Sequence, residues 1–108
     1  MSIILHISTE QALHAGKSIG EYTAPSLVDE GFIHCSTAEQ IAATANRFYA
    51  GQAGLIVLHI DTETLKAEVK WEEANGQLFP HIYGPINLDA IVEMEDFEPD
   101  ARGEFHYR

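Results

Sequence analysis

Apolar residues in this chain fall into short runs of two periods, and the change from one period to the other marks the elements. Ile3-Ile4-Leu5-His6-Ile7 is short and β-branched, which predicts a strand. It runs into Ser8-Thr9-Glu10-Gln11, where a hydroxyl followed three residues later by Gln has the form of a capping box. A helix is therefore expected from Thr9 to Ala15, with Gly16 as its stop. From Lys17 to Glu30 the pattern is weak and reads as loop, apart from a short helical turn that Pro25-Ser26 is able to start. Gly31 opens a second strand, Phe32 to Cys35. Thr37-Ala38-Glu39-Gln40 then repeats the capping logic before an alanine-rich amphipathic helix that reaches Tyr49 and is ended by Gly51 and Gly54.

The second half is rich in strands. Leu55 to Ile60 is apolar on both faces, which predicts a central strand. Lys66 to Glu72 alternates charged residues with Ala67, Val69 and Trp71, the pattern of a half-buried strand with Trp71 packed inward. Phe79 to Tyr83 is framed by Asn75-Gly76 and Gly84-Pro85, and Ala90 to Met94 closes the sheet. From Glu95 on the chain is acidic and ends in Phe105-His106-Tyr107, a tail or an edge strand. Helices near the N-terminus followed by strands predict an α+β fold, not an alternating parallel sheet.

Composition narrows the class. With 108 residues, 45% of them hydrophobic and 21% charged, the chain is long enough to bury a modest core as a single soluble domain without a metal or disulfide staple. Asp and Glu number 17 against 6 Lys and Arg, a net charge of -11, so the surface repels nucleic acid and anionic membranes and neither is expected as a partner. Cys35 is alone, which excludes an intramolecular disulfide. With no basic-start signal segment and no apolar run of bilayer length, a cytoplasmic location is expected.

The histidines raise the functional question. A core does not need histidine, yet Gly31-Phe32-Ile33-His34-Cys35-Ser36-Thr37 places one between apolar residues and a hydroxyl pair, and His6-Ile7-Ser8-Thr9 echoes it at the end of the first strand. Side chains alternate along a strand, so His6 shares a face with Ser8, and His34 with Phe32 and Ser36. If the two faces meet, they form a polar pocket above a helix N-terminus, which favours an anion such as a phosphate or carboxylate. Arg47 is the basic residue of that segment. Ser8, Thr9, Ser36 and Thr37 fit plain helix caps equally well. His59 with Asp61 fits either a carboxylate-oriented base or a surface pair, and His14 and His106 fit solvated positions. Cys35 points away from His34, which favours a small buried residue over a Cys-His nucleophile pair. Histidine spacing has no metal signature and no metal is expected; only the fold is able to bring His6, His34 and His81 together. Phe79, His81 and Tyr83 share a face, an aromatic row suited either to stacking a planar ligand ring or to packing on the core. Glu72, on the face opposite Trp71, is solvated or lines the site.

Five stretches in order, ILHIST, GFIHCSTAEQ, VLHID, VKWEE and FPHIYGPI, cover nearly the whole chain and resemble a family of small bacterial proteins grouped as a domain of unknown function. The resemblance implies a fold similar to ADP-ribosyltransferases and to the RNA 2'-phosphotransferases that use NAD, with a split β-sheet cleft that clasps a nicotinamide nucleotide. Some members are labelled glutathione S-transferase-like, a label with no thioredoxin-type motif behind it. By the same resemblance His6 takes the first-strand position that contacts the adenosine-side ribose, and Ser36 and Thr37 line the nicotinamide pocket. The third position, a carboxylate that orients the nicotinamide-side ribose, falls to Glu72 or is replaced by His81 or Tyr83. The implied function is an NAD- or nucleotide-using transferase with His6, His34 and Glu72 as the catalytic set, and Ser36, Thr37, Phe79, His81 and Tyr83 binding the ligand. The alternative is a non-catalytic module that keeps the cleft for a small ligand or a protein partner. The acidic surface favours that alternative, because a dinucleotide brings two negative charges.

Overall fold

The computed structural model describes residues 2–108. The first apolar run forms β1 (Ile3–Thr9) and hands over to α1 (Glu10–Ile19) at Thr9, which is extended at φ -131° and takes the Ala12 N–H on its side chain. Thr9, not Ser8, is therefore the cap. The helix does not stop at Gly16. It continues to Gly20, whose left-handed φ of 92° lets its N–H close on the Gly16 carbonyl at 2.9 Å. Gly16 has another role: a Cβ there would lie 3.1 Å from both the Glu21 carbonyl oxygen and the Tyr22 Cα, so the missing side chain lets α1 lie against the chain that follows it. Two glycines four residues apart give the same sequence signal, and the close approach decides which one ends the helix.

The weak segment is more ordered than its pattern suggests. β2 (Glu21–Tyr22) and α2 (Pro25–Asp29) occupy it, with Pro25 in the first helical turn. β3 is only Ile33–His34, shorter than the predicted Phe32 to Cys35, because the chain changes partner: after β3, Ser36 pairs with Leu5 of β1. α3 (Ile41–Phe48) begins four residues beyond Thr37. The Thr37 carbonyl accepts from the Gln40 and Ile41 N–H groups, and the Gln40 side chain reaches back to the Thr37 N–H at 3.0 Å. Half of the capping box is present, while the N-cap position falls to Gln40, which makes no side-chain cap bond. Thr9→Ala is expected to cost about 0.5–2 kcal/mol by loss of its cap, and Thr37→Ala less than about 0.5 kcal/mol; the urea midpoints of the two variants check the contrast.

β4 (Leu55–Asp61) is central, between β1 and β8 (Ile91–Phe97), and antiparallel to both. It sends Ile56, Leu58 and Ile60 into one core with Ile4, Leu13 and Ile82, and Leu55 and Val57 into a second with Ile41, Phe97 and Phe105. Its continuous apolar run follows from having both faces covered. In the other three-stranded sheet β6 (Gln77–Tyr83) lies between β3 and β5 (Glu68–Ala74). Asn75-Gly76 joins β5 to β6 at φ 53° and 80°, the two-residue turn whose backbone matches strand twist. β7 (Ile86–Asn87) pairs with β2, and a 3-10 turn over Leu88–Ala90 precedes β8, which starts one residue later than expected and runs on to Phe97. Helices in the first half and strands throughout make one small α+β unit with a radius of gyration of 13.2 Å.

One expectation fails where the sheets end, and another holds only in part. Trp71 is 49% exposed: on its face Val69 and Ile82 reach the core, whereas Trp71 and Leu78 stand toward the hairpin tip, past the edge of the core. Of the stretch from Glu95 on, Glu95 to Phe97 complete the edge strand β8, and the residues beyond are neither tail nor strand. Phe105 is 1% exposed, packs on Phe97 with ring centroids 4.9 Å apart, and has its backbone N–H and carbonyl held by the Asn46 amide at 2.7 and 3.0 Å. No helix among the described residues is long and apolar enough to cross a membrane.

Candidate functional site

The two three-stranded sheets are linked by one pair of backbone hydrogen bonds, from the Leu5 N–H to the Ser36 carbonyl at 2.8 Å and from the Ser36 N–H to the Leu5 carbonyl at 2.7 Å. Beside this bridge lies a cleft of about 820 Å³. Its walls are β1 from Leu5 to Thr9, Tyr22, the start of α2, Glu30, Phe32, the stretch His34 to Ser36, Thr44 and Phe48 of α3, and Glu73, Phe79 and His81 of the β5–β6 hairpin. Of the site residues expected from the sequence, His6, His34, Ser36, Phe79 and His81 line it. Thr37, Glu72 and Tyr83 do not.

Pairing of β3 with β6 brings the histidines of two distant motifs together. His34 lies opposite His81 with ring centroids 5.4 Å apart, and Phe32 stacks on His81 at 4.1 Å and 18°. Register places Glu72, Phe79, His81 and Tyr83 on one face, as strand alternation predicts. Glu72 turns its carboxylate to the Tyr83 hydroxyl at 2.5 Å and to His81 Nδ1 at 2.8 Å. Those bonds, Tyr83 first, hold its pKa below the usual carboxylate range, and the same contact raises that of Tyr83. Glu72 thus stands behind His81 and not in the cleft. A carboxylate only accepts, so Nδ1 of His81 carries a proton, and Nε2 has no protein partner among the described residues. His34 is more open, its side chain 54% exposed, with Nε2 3.0 Å from the Glu30 carboxylate.

His6, on the β1 wall, is 8% exposed. Its Nδ1 lies 2.6 Å from the His34 carbonyl and its Nε2 2.8 Å from the Tyr22 hydroxyl, which in turn lies 2.7 Å from Ser8 Oγ. Burial lowers the imidazole pKa from 6.5 to about 4 and pushes the Tyr22 phenol up to about 12, so both are neutral at neutral pH. With both ring nitrogens engaged, His6 organises its neighbours. Tyr22 and Glu30 are the members that sequence reasoning missed. Both lie in the weakly patterned segment, where the one available signal was a tyrosine between Gly20 and Pro25.

Cys35 is buried, and burial raises its thiol pKa, which suits a small core residue. His59 does not pair with Asp61. It reaches across to Glu95 of β8, while Asp61 takes the Glu63 N–H and the Thr64 hydroxyl of the turn after β4. Among the described residues, the His, Cys, Asp and Glu group that gathers its ligand atoms is Asp100, Glu104 and His106, all exposed; His6, His34 and His81 do not share one point. The residues of formal charge lining the cleft are Glu30 and Glu73. Arg47 and Lys70 lie over the Phe48 and Tyr83 rings, at 5.3 and 4.7 Å, and neither lines the cleft. An anion above the helix N-terminus, as the sequence suggests, would find no Lys or Arg among the described residues that line the cleft, and the Thr9 side chain already takes the Ala12 N–H.

Residues 7–94 match the model of a family described as a protein of unknown function (DUF952). Solved structures of the protein CC0527 from Caulobacter crescentus are similar over nearly their whole length. Its crystal structure is 32% identical, covers 97% of this chain and 94% of that one, and superposes with a TM-score of 0.87. A double mutant of the same protein gives 31% identity at the same coverage and TM-score, and its solution structure gives 33%, 96% and 91%, and 0.80. No curated protein matches.

Proposed function

We propose, from the premise that this chain belongs to the DUF952 family, that its cleft binds a small molecule with a flat ring and that His81 exchanges or shares a proton with it. The Phe32–His81–Glu72 stack is the observation behind this reading: a carboxylate orients the imidazole, an aromatic ring holds it flat, and Nε2 is left open in a wall of the cleft. Phe48 and Phe79 add apolar area suited to a ring, and Ser8 and Ser36 supply hydroxyls. In this arrangement His81 is the acid or base, and Glu72 fixes its tautomer and steadies the imidazolium.

An NAD- or nucleotide-using transferase with an ADP-ribosyltransferase-like fold is the second reading, favoured by two small sheets that part around one cleft. Two observations weigh against it. Among the described residues no Lys or Arg lines the cleft to meet a pyrophosphate, and Glu72 is engaged by His81 and Tyr83 outside the cleft. A thermal-shift series with nicotinamide, adenosine, ADP-ribose and NAD separates the two, since a ligand at a hundred times its Kd stabilises the native state by about 2.7 kcal/mol. The ring compounds are expected to raise Tm, and His81→Ala to abolish the rise. A response to NAD and ADP-ribose alone would favour the transferase, and a flat response to all four would sink both readings.

A further inference from the structure

The hydrogen-bond polarity of Ser8 follows from one carbonyl. The His34 carbonyl only accepts, so His6 Nδ1 must donate to it. The ring is neutral, as its burial requires, so Nε2 has no proton and accepts from the Tyr22 hydroxyl. With its single proton spent on His6, Tyr22 Oη at 2.7 Å from Ser8 Oγ is an acceptor, and Ser8 must donate to it. The contact from Ser8 Oγ to the Thr9 carbonyl, at 3.5 Å, is too long to compete. Ser8 therefore turns lone pairs, not a proton, to the cleft. Glu30 and Glu73 add carboxylates, and among the described residues no Lys or Arg lines the space.

From the Ser8 lone pairs and these two carboxylates we infer that the ligand is a cation rich in N–H donors on a flat ring, an amidinium or protonated amine, and that carboxylates and phosphates bind more weakly. The inference rests on the reading of the cleft as a small-molecule site. Aromatic faces reinforce it, because their negative centres attract a cation. Glu30 gives one oxygen to His34 and has a second available to a ligand.

Benzamidine, benzamide and benzoate share one ring and differ in charge and donors, so isothermal titration of the intact protein with the three tests the inference. Benzamidine is expected to bind about tenfold more tightly than benzamide, the scale of one charge-assisted hydrogen bond, with benzoate weakest. Glu30 is exposed, so Glu30→Gln leaves the fold intact and should bring benzamidine to within about threefold of benzamide. Tyr22→Phe frees the Ser8 proton to point into the cleft and should raise benzoate affinity relative to benzamidine; should that buried substitution unfold the protein, the Glu30 variant still decides. Benzoate binding as tightly as benzamidine to the parent, or a benzamidine preference unmoved by Glu30→Gln, overturns the inference and leaves the cleft as a ring-binding site. No binding of any of the three at their solubility limits overturns the small-molecule reading itself, and the inference with it.

Discussion

Phe105→Ala is expected to lower the stability of the protein by about 3–5 kcal/mol, read as a fall in the urea midpoint at unchanged slope. The residue stands near the end of an acidic stretch that looks dispensable in the sequence, yet its ring fills the second core with Leu5, Ile41, Val57 and Phe97 and is 1% exposed. Truncation to Ala removes a full aromatic side chain from a site pinned from two directions. The Asn46 amide holds the backbone, and Tyr107 and Arg108 bond to Glu95 just beyond, so the chain cannot collapse into the space. Domains of this size hold about 5–15 kcal/mol in total, so the variant would lose a large share of it. A loss below about 1 kcal/mol would mean that the C-terminal segment does not pack on the sheet in solution.

Acid should destabilise the protein in two steps, the first belonging to His6. Its pKa is 6.5 in an unfolded chain and about 4 in the fold, where burial disfavours the charged ring. Between those values the unfolded chain holds more protons than the folded one, so falling pH favours unfolding; the contribution is complete above about pH 6.5 and is lost by about pH 4. A shift of this size is worth on the order of 3 kcal/mol. Glu95 follows at lower pH. Burial alone would raise its pKa, but bonds from Arg108, His59 and Tyr107 outweigh that and bring it down to about 2 from 4.5, so its contribution is lost as pH falls through that lower range. Urea midpoints at pH 7, 5.5 and 4.5 measure the first step. In His6→Gln, which donates and accepts like the neutral ring but does not titrate, the fall across that interval should shrink to a small remainder. An equal fall in both proteins would show that His6 is protonated in the fold or that its burial is not maintained.

Local rules were legible in the sequence and tertiary ones were not. The apolar run of β4 announced a strand with two covered faces, and Asn75-Gly76 and Gly84-Pro85 framed the run that became β6, because each signal belongs to a single short stretch. Strand alternation correctly grouped Phe79, His81 and Tyr83, and it grouped His34 with Phe32. It could not tell which members of a face open into a cleft and which, like Glu72 and Tyr83, stand behind another side chain. Tyr22 and Glu30 were invisible because each acts on a histidine that only the folded chain brings near. Gly16 is not the helix stop for a similar reason, since the approach of α1 to Tyr22 is not written in the helix itself.

A strand whose two faces are both spoken for has little freedom to drift. In β4 every substitution from Leu55 to Leu58 meets one core or the other, so mutations that survive selection there should be confined to apolar exchanges of similar volume. The cleft wall opposite, built from half-buried and exposed side chains such as Glu30, Phe48 and Glu73, is under no such restraint. Descendants of one ancestral sequence could therefore keep the same scaffold while diversifying the ligand it holds.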